Sequence, residues 1–385
     1  MKKRIISALL VIILCLCGCS LENEKPLKVN KEVKAIKGVW ISFSELDTML
    51  NTENFKQEFC IAADKMQNSG ITDAYIHIRA FADAIYKSEL FPLRKTAKKD
   101  YDVLEFMIKA CHSRNIRFHA WINPYRVKSA DSDTTTLEAY GMIYNWLNDQ
   151  DTSNDNNILF SNGIYLNPAS SEVRRLIIDG IRELISNYEV DGIHFDDYFY
   201  PTTDPSFDSV SYTAYKTENE NPMSLEDFRR ANVNSLISGC YTAIKFYNKD
   251  IEFSISPAAS IDKNYNEYFA DVKAWAENSC VDRIIPQLYF GFEYPDKNYR
   301  FEKLLKDWKK LLEDCNIDLT IGLAAYKIGT TLEPDCYEWQ EKTDVLKKQV
   351  ELIEKDTTLS GYIFFSYSYL FSENELNKKA TKDLI

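Results

Sequence analysis

From Gly38 onward, short apolar runs alternate with stretches whose apolar residues recur at helical spacing. The runs are Gly38–Ser42, Ala74–Arg79, Arg117–Asn123, Gly192–Asp197, Ile251–Pro257, Arg283–Phe290, Leu319–Ala325 and Gly361–Tyr367, all rich in Val, Ile, Phe and Tyr. Continuous apolar runs of this length are the mark of parallel strands buried on both faces. Between them the periodicity predicts helices over Asn54–Asn68, Tyr101–Ser113, Ser171–Asn187, Ser224–Tyr247, Glu267–Asn278, Phe301–Asp314 and Trp339–Glu354, with a short one after Ser372. Ser, Asp and Asn at several helix starts are suited to capping. Eight strands in strict alternation with helices fit a closed barrel or an open doubly wound sheet. No Gly-rich phosphate turn follows the first run, and polar residues recur at the C-terminal ends of nearly all runs rather than at one switch point. The pattern therefore predicts an α/β fold, a (β/α)8 TIM barrel, over residues 37–385. The connections 126–165 and 198–223 are longer than usual for such a fold and are expected to shape a cleft.

The residues ahead of the barrel read differently. Lys2, Lys3 and Arg4 precede an apolar run from Ile5 to Leu16 that is short for a membrane span. The run closes in Leu16-Cys17-Gly18-Cys19, which resembles the bacterial lipobox. That resemblance implies a lipoprotein signal peptide over residues 1–18, lipidation of Cys19, and an extracytoplasmic protein that meets the membrane only through its N-terminal lipid. Residues 19–36, polar and without periodicity, are expected to be a tether.

Composition narrows the partners. The chain of 385 residues carries a net charge of −12, and no dense Lys/Arg cluster interleaved with aromatics relieves it, so a nucleic-acid partner is not expected. With 24 Tyr, 21 Phe and 6 Trp, the chain has rings both for its core and for stacking on flat ligands such as sugars. Three of the nine cysteines lie in the signal region; Cys60, Cys111, Cys240, Cys280, Cys315 and Cys336 are scattered without CxxC or Cys/His spacing. No metal site or cofactor is expected from that spacing, and most of these cysteines read as small apolar fillers.

The chemistry concentrates in Asp191-Gly192-Ile193-His194-Phe195-Asp196-Asp197. A strand entering a barrel is ordinarily apolar; here the period of two puts His194 and Asp196 on one side, Phe195 and Asp197 on the other. An ionised group facing the barrel axis is costly unless it binds something. The other strand ends add Glu45, Asp83 and Glu293 as carboxylates, and Arg79, Trp121, Asn123, Arg126, Gln287, Tyr289, Tyr326 and Tyr367 as polar groups and rings. Together they suit a sugar: hydroxyls take the hydrogen bonds, rings take the apolar sugar face, and a pair of carboxyls works on the acetal. Because neighbouring strand residues diverge, Asp196 is expected to pair with a carboxylate from another loop. Glu45, Asp83, Glu293 and Asp197 are the candidates for the acid.

The segments Lys37-Gly38-Val39-Trp40, Ile78-Arg79 with Asp83-Ala84-Ile85-Tyr86, His119 to Arg126, Tyr165-Leu166-Asn167-Pro168-Ala169, Asp191 to Pro201, Pro286-Gln287-Leu288-Tyr289 and Gly322 to Tyr326 occur in an order that resembles the bacterial glycosyl hydrolase-like 10 family. The resemblance runs from about Gly38 to Tyr369. It implies a glycoside hydrolase barrel, with breakdown of cell-wall glycan known for at least some members. By position it puts the family's acidic motif on Asp196 and Asp197 and its Arg/Asp motif on Arg79 and Asp83. The fourth strand is also similar to the family 18 chitinase pattern at Asp191, Gly192 and Asp196, but His194 replaces one Asp and Tyr198 stands in place of the catalytic Glu. A chitinase of that family is therefore not expected. The expected activity is cleavage of O-glycosidic bonds in a polysaccharide, peptidoglycan glycan strands being one candidate. A non-catalytic glycan-binding lipoprotein on the same barrel is the alternative, followed by a lyase or a deacetylase.

Overall fold

The computed structural model describes residues 35–129, 142–330 and 337–385. Its strands are β1 (Ile36–Ile41), β2 (Asp73–Arg79), β3 (Arg117–Ile122), β4 (Gly192–Phe195), β5 (Glu252–Ile255), β6 (Arg283–Ile284), β7 (in two pieces, Asp318–Leu319 and Ile321–Ala324) and β8 (Gly361–Phe365). Every neighbouring pair is parallel, and β1 pairs with both β2 and β8, so the first and last strands lie side by side. The two pieces of β7 pair with β6 and β8 respectively. Thr320 between them donates its N–H to the Ile284 carbonyl at 3.0 Å, which closes the ring. The (β/α)8 TIM barrel expected from the alternation is the fold observed.

Strand lengths depart from the sequence pattern for local reasons. β1 begins at Ile36, so the barrel takes in the last residue expected of the tether; residues 1–34 lie outside the described part, and with them the signal peptide and Cys19. The sixth run was expected to reach Phe290, yet its ladder holds only Arg283–Ile284, with single bridges further on at Gln287. Pro286 has no N–H to give the ladder. Helices Ser171–Asn187 and Leu225–Tyr247 match their expected spans and are capped by the Ser170 and Ser224 side chains. The stretch expected as one helix from Trp339 is two, Glu338–Glu341 and Val345–Glu354.

Outward residues of the strands, such as Val39, Ile76, Ile193 and Phe253, pack under the helices in one large core. Inward residues form a separate cluster of Ile36, Trp40, Tyr75, Trp121, Ile285 and Ile363. Large inward side chains are accommodated because glycines face them. A Cβ on Gly192 would lie 2.3 Å from His119 Nδ1, and one on Gly38 would lie 2.9 Å from the Ile363 side chain.

The end of the barrel where the strands begin is closed by charge. Arg283 donates to Glu252 at 3.0 Å, to Asp318 at 3.1 Å and to the Thr320 hydroxyl at 2.6 Å, while Arg117 bridges Asp73 and Glu252. His119 Nε2 lies 2.8 Å from Asp73. Burial alone would raise the Glu252 carboxyl, but Arg283, His119 and Arg117 outweigh it and hold it down at about 2, below its ordinary 4.5. Asp73 is likewise lowered, its burial outweighed by His119 and Arg117. Both carboxyls therefore contribute stability that is complete above their unfolded values and is lost as pH falls through the folded ones. Arg283→Met, which removes the main partner of Glu252 and leaves it only the more distant Arg117 and His119, should lower unfolding stability by about 2–4 kcal/mol. Denaturant titrations at pH 7 and pH 3 check this: the loss should be largest at pH 7, and the wild type should itself weaken between pH 4.5 and pH 2.

The two long connections carry structure of their own. Arg126–Ser129, Ile158–Ser161 and Gly163–Leu166 form a small antiparallel sheet after β3, with Gly163–Leu166 in the middle. After β4, the connection includes helix Ser209–Glu218 and is held by the buried Arg229, which grips Asp208 and the carbonyls of Thr203 and Asp204. Tyr200 and Phe269 flank its guanidinium at 5.2 and 5.0 Å. Among the described residues, five cysteines (Cys60, Cys111, Cys240, Cys280 and Cys315) are free thiols, and no helix is long and apolar enough to cross a membrane.

Candidate active site

The C-terminal ends of the strands converge on a cleft of about 500 Å³. β4 delivers its chemistry. Ile193 and Phe195 point outward into the core, His194 points inward, and the strand stops at Phe195. Beyond that point the strand period no longer applies: the chain bends, and Asp196 and Asp197 both reach the cleft. The expectation that neighbouring carboxylates diverge fails for this reason.

Asp196 is 2 % exposed. It accepts a hydrogen bond from Trp121 Nε1 at 3.0 Å on one oxygen and from Asn123 Nδ2 at 3.1 Å on the other. Burial raises its pKa above the ordinary value, partly offset by Arg126 and by these donors. Asp197 is pushed up to about 7, first by burial and then by the charge on Asp196; the Gln287 amide hydrogen-bonds it and restrains the shift. The two carboxyls thus share a site in which the second is hard to ionise while the first is charged. Burial and the Asp196 charge thus favour the protonated form of Asp197, beside a carboxyl whose orientation Trp121 and Asn123 fix.

Rings line the remainder: Trp40, Phe43, Trp121, Tyr198, Tyr289, Tyr326, Phe365 and Tyr369. Tyr289 and Tyr326 stand edge to face at 5.8 Å. Arg126 lies between Phe81 and Tyr198, its guanidinium 4.8 and 4.6 Å from their ring centres. Flat apolar rings around a polar floor suit a pyranose, which has an apolar face and a rim of hydroxyls.

The other expected acids do not meet Asp196 as free groups. Glu45 lines the cleft, but both its oxygens are taken: one accepts from the Ser366 hydroxyl and the Ser368 N–H, the other from the Ser42 N–H and hydroxyl, all at 2.7 Å. Asp83 is engaged by Arg94 through two hydrogen bonds of 3.0 and 3.1 Å and is not part of the cleft lining. Glu293 is exposed and paired with Lys342, also away from the lining.

The expected substrate contacts divide similarly. Trp121, Arg126, Gln287, Tyr289 and Tyr326 line the cleft, while Asn123 stands behind Asp196. Arg79 does not reach it. The register of β2 slips between His77 and Arg79, and the guanidinium is buried 4.1 Å from the Phe91 ring, on the helix side. His194 is fully buried, bound by Trp40 Nε1 at 3.2 Å and by the Ser254 and Ser256 hydroxyls at 2.9 and 3.1 Å, which makes it a support under the cleft. Tyr367 is buried against Phe371, because the chain after β8 turns into the helix Tyr367–Leu370; Tyr369, 44 % exposed, is the tyrosine of that segment that faces the cleft. His77, Phe43, Trp40 and Phe365 also line the cleft and are not among the expected substrate contacts. The alternation of Tyr75 and His77 with Ala74, Ile76 and Ile78 along β2 was the signal that would have found His77.

A carboxyl pair at the C-terminal mouth of a (β/α)8 barrel, walled by aromatic rings, defines a glycoside hydrolase-type protein. The sequence model of the family described as glycosyl hydrolase-like 10 matches residues 35–340, and the chain belongs to that family. It is 30 % identical over 353 residues to glycosyl hydrolase YngK of Bacillus subtilis, covering 83 % of this chain and 67 % of that protein. It is 28 % identical over 436 aligned positions to glycosyl hydrolase DigH of Escherichia coli, covering 98 % of this chain and 94 % of that protein. Among solved structures, the glycoside hydrolase domain of PgaB from Bordetella bronchiseptica shares the fold, with a TM-score of 0.62 at 13 % identity over 90 % of this chain and 98 % of that one.

Proposed function

We propose that the protein is a lipid-anchored, extracytoplasmic glycoside hydrolase that cleaves O-glycosidic bonds in a polysaccharide, with the glycan strands of peptidoglycan as the leading candidate. One observation carries the catalytic reading: Asp196 and Asp197 both line the cleft, Asp196 oriented by Trp121 and Asn123, and burial together with the Asp196 charge pushes Asp197 up to about 7. Two carboxyls that share one site do not ionise equally, and divide into an acid and a charged partner. In the proposed reaction, Asp197 protonates the glycosidic oxygen as the C–O bond breaks. Asp196 holds negative charge towards the anomeric carbon as positive charge develops there, and water supplies the hydroxyl of the new reducing end. Afterwards Asp197 regains a proton.

The extracytoplasmic, tethered reading rests on the basic start, the apolar run and the Cys17-Gly18-Cys19 segment. The family relationship and the wall-acting resemblance are compatible with it. The test is incubation of the protein with stripped wall glycans, peptide-bearing wall glycans and chitin oligomers, with products weighed by mass spectrometry. Fragments gaining one water at a glycosidic bond support hydrolysis; binding without any new reducing end would leave the glycan-binding alternative. Cys19→Ser should move the protein from the membrane fraction to the soluble one.

A further inference from the structure

Among the described residues lining the cleft, His77 is a buried polar side chain without a hydrogen-bond partner, and the reaction above gives it no use. It projects inward from β2, is 2 % exposed, and neither Nδ1 nor Nε2 has a hydrogen-bond partner. Its inward neighbour His194 shows the contrast, with both ring nitrogens bonded. Buried polar groups are normally paired, and a pair of unpaired ring nitrogens in a well-packed wall calls for a partner that arrives later. The imidazole is kept neutral by its burial and then by Arg94 and Arg126. One face lies flat on Trp121, with ring centres 3.7 Å apart and planes 9° from parallel. The same indole donates its N–H to Asp196. His77 and Asp196 are therefore placed on one indole, the first on its face and the second at its edge, and both line the cleft.

We propose that His77 reads a hydroxyl of the sugar whose glycosidic bond is cleaved. A neutral imidazole offers one N–H donor and one bare nitrogen on diverging edges, so a sugar hydroxyl can meet it either as acceptor or as donor. A charged substituent would be matched by a charged side chain instead. In the free cleft Phe43 stands nearly perpendicular to the imidazole, ring centres 5.7 Å apart. Half-buried at the first turn of helix Phe43–Leu50, it is the ring that turns aside to admit the hydroxyl. His77 is in this sense a specificity residue, and its assignment rests on the glycosidase reading of the cleft.

The chain has four histidines, His77, His112, His119 and His194, so selective 15N labelling of imidazole nitrogens gives a spectrum that single substitutions can assign. The Asp197→Asn protein, used to suppress turnover, is titrated with a stripped wall-glycan tetrasaccharide while tryptophan fluorescence reports occupancy. Both His77 nitrogens should shift as the fluorescence saturates, with His112 unmoved. In the otherwise wild-type enzyme, His77→Phe should lower kcat/KM by about tenfold or more and His77→Gln, which keeps a donor and an acceptor, should recover most of it. A purely structural histidine would not show rescue by Gln in correctly folded protein. Saturating fluorescence with unmoved His77 nitrogens overturns the proposal alone. No fluorescence change, together with no cleavage by the wild type, overturns the glycosidase reading and this proposal with it.

Discussion

Replacing Asp197 by Asn is expected to lower kcat/KM on an unactivated glycan by about 10²–10⁴-fold, the span usual for loss of a positioned acid. The pH profile carries the sharper signature. Wild-type activity should decline as pH rises through about 7, where Asp197 gives up its proton, and that limb should vanish in Asp197→Asn. An aryl glycoside whose leaving group departs without protonation should be hydrolysed nearly as well by the variant. Stability should move the other way. Since the folded-state value lies above the ordinary 3.8, the folded protein holds more protons than the unfolded chain between those two values, and stability is lost as pH rises through that window. Asn carries no such penalty, so the variant should resist denaturant better than the wild type at pH 8. A large loss of activity accompanied by a gain in stability is what a functional carboxyl predicts and a structural one does not. An unchanged pH profile in Asp197→Asn would remove it from the role of acid.

Asp196→Asn is expected to cost about 10²–10³-fold, comparable with removal of a preorganised electrostatic group, and the cost should persist with an activated leaving group. That persistence separates it from Asp197→Asn. A second effect follows from the coupling of the pair. The charge on Asp196 is one of the two causes that push Asp197 up, so its removal should shift the residual alkaline limb to lower pH. Asn can still accept from Trp121 through its carbonyl oxygen, but its amide faces the Asn123 amide where Asp196 accepted at 3.1 Å. The Asp196→Asn, Asn123→Asp pair restores a donor and acceptor there without returning the charge to position 196. If the pair regained stability but not rate, the charge at 196, rather than its hydrogen bonding, would be what the reaction uses. Steady-state rates across pH 4 to 9 on both substrates are sufficient for these comparisons.

The barrel was legible because a parallel strand buried on both faces leaves a continuous apolar run, and eight such runs in alternation with helices fit few folds. Strand ends were less legible. Pro286 removes a ladder donor, the register slip in β2 turns Arg79 away from the axis, and the chain beyond Phe365 becomes helical, so that Tyr369 rather than Tyr367 faces the cleft. The same limit set Asp197, one of four candidates, behind acids from other loops as the partner of Asp196. Within a strand the next residue faces away, but β4 ends one residue too early for that rule, and the second carboxyl is Asp197 itself. Glu45, Asp83 and Glu293 are acidic residues of the right kind in the right loops. What disqualifies them as free acids is the identity of their partners, Ser366 and Ser368, Arg94 and Lys342, which lie from 11 to over 300 residues away along the chain. Sequence spacing carries no record of those meetings.

The grip of Glu45 on Ser366 and Ser368 joins positions 321 and 323 residues apart. During synthesis the segment Phe43–Leu50 therefore emerges long before the residues that complete its anchorage. A product truncated shortly before Ser366 would possess Asp196, Asp197 and most of the aromatic wall, yet one rim of the cleft would have nothing to rest against. Competence thus arrives last and all together, so prematurely terminated copies would be inert, and a peptide covering the final segment would be the natural candidate for restoring them in trans.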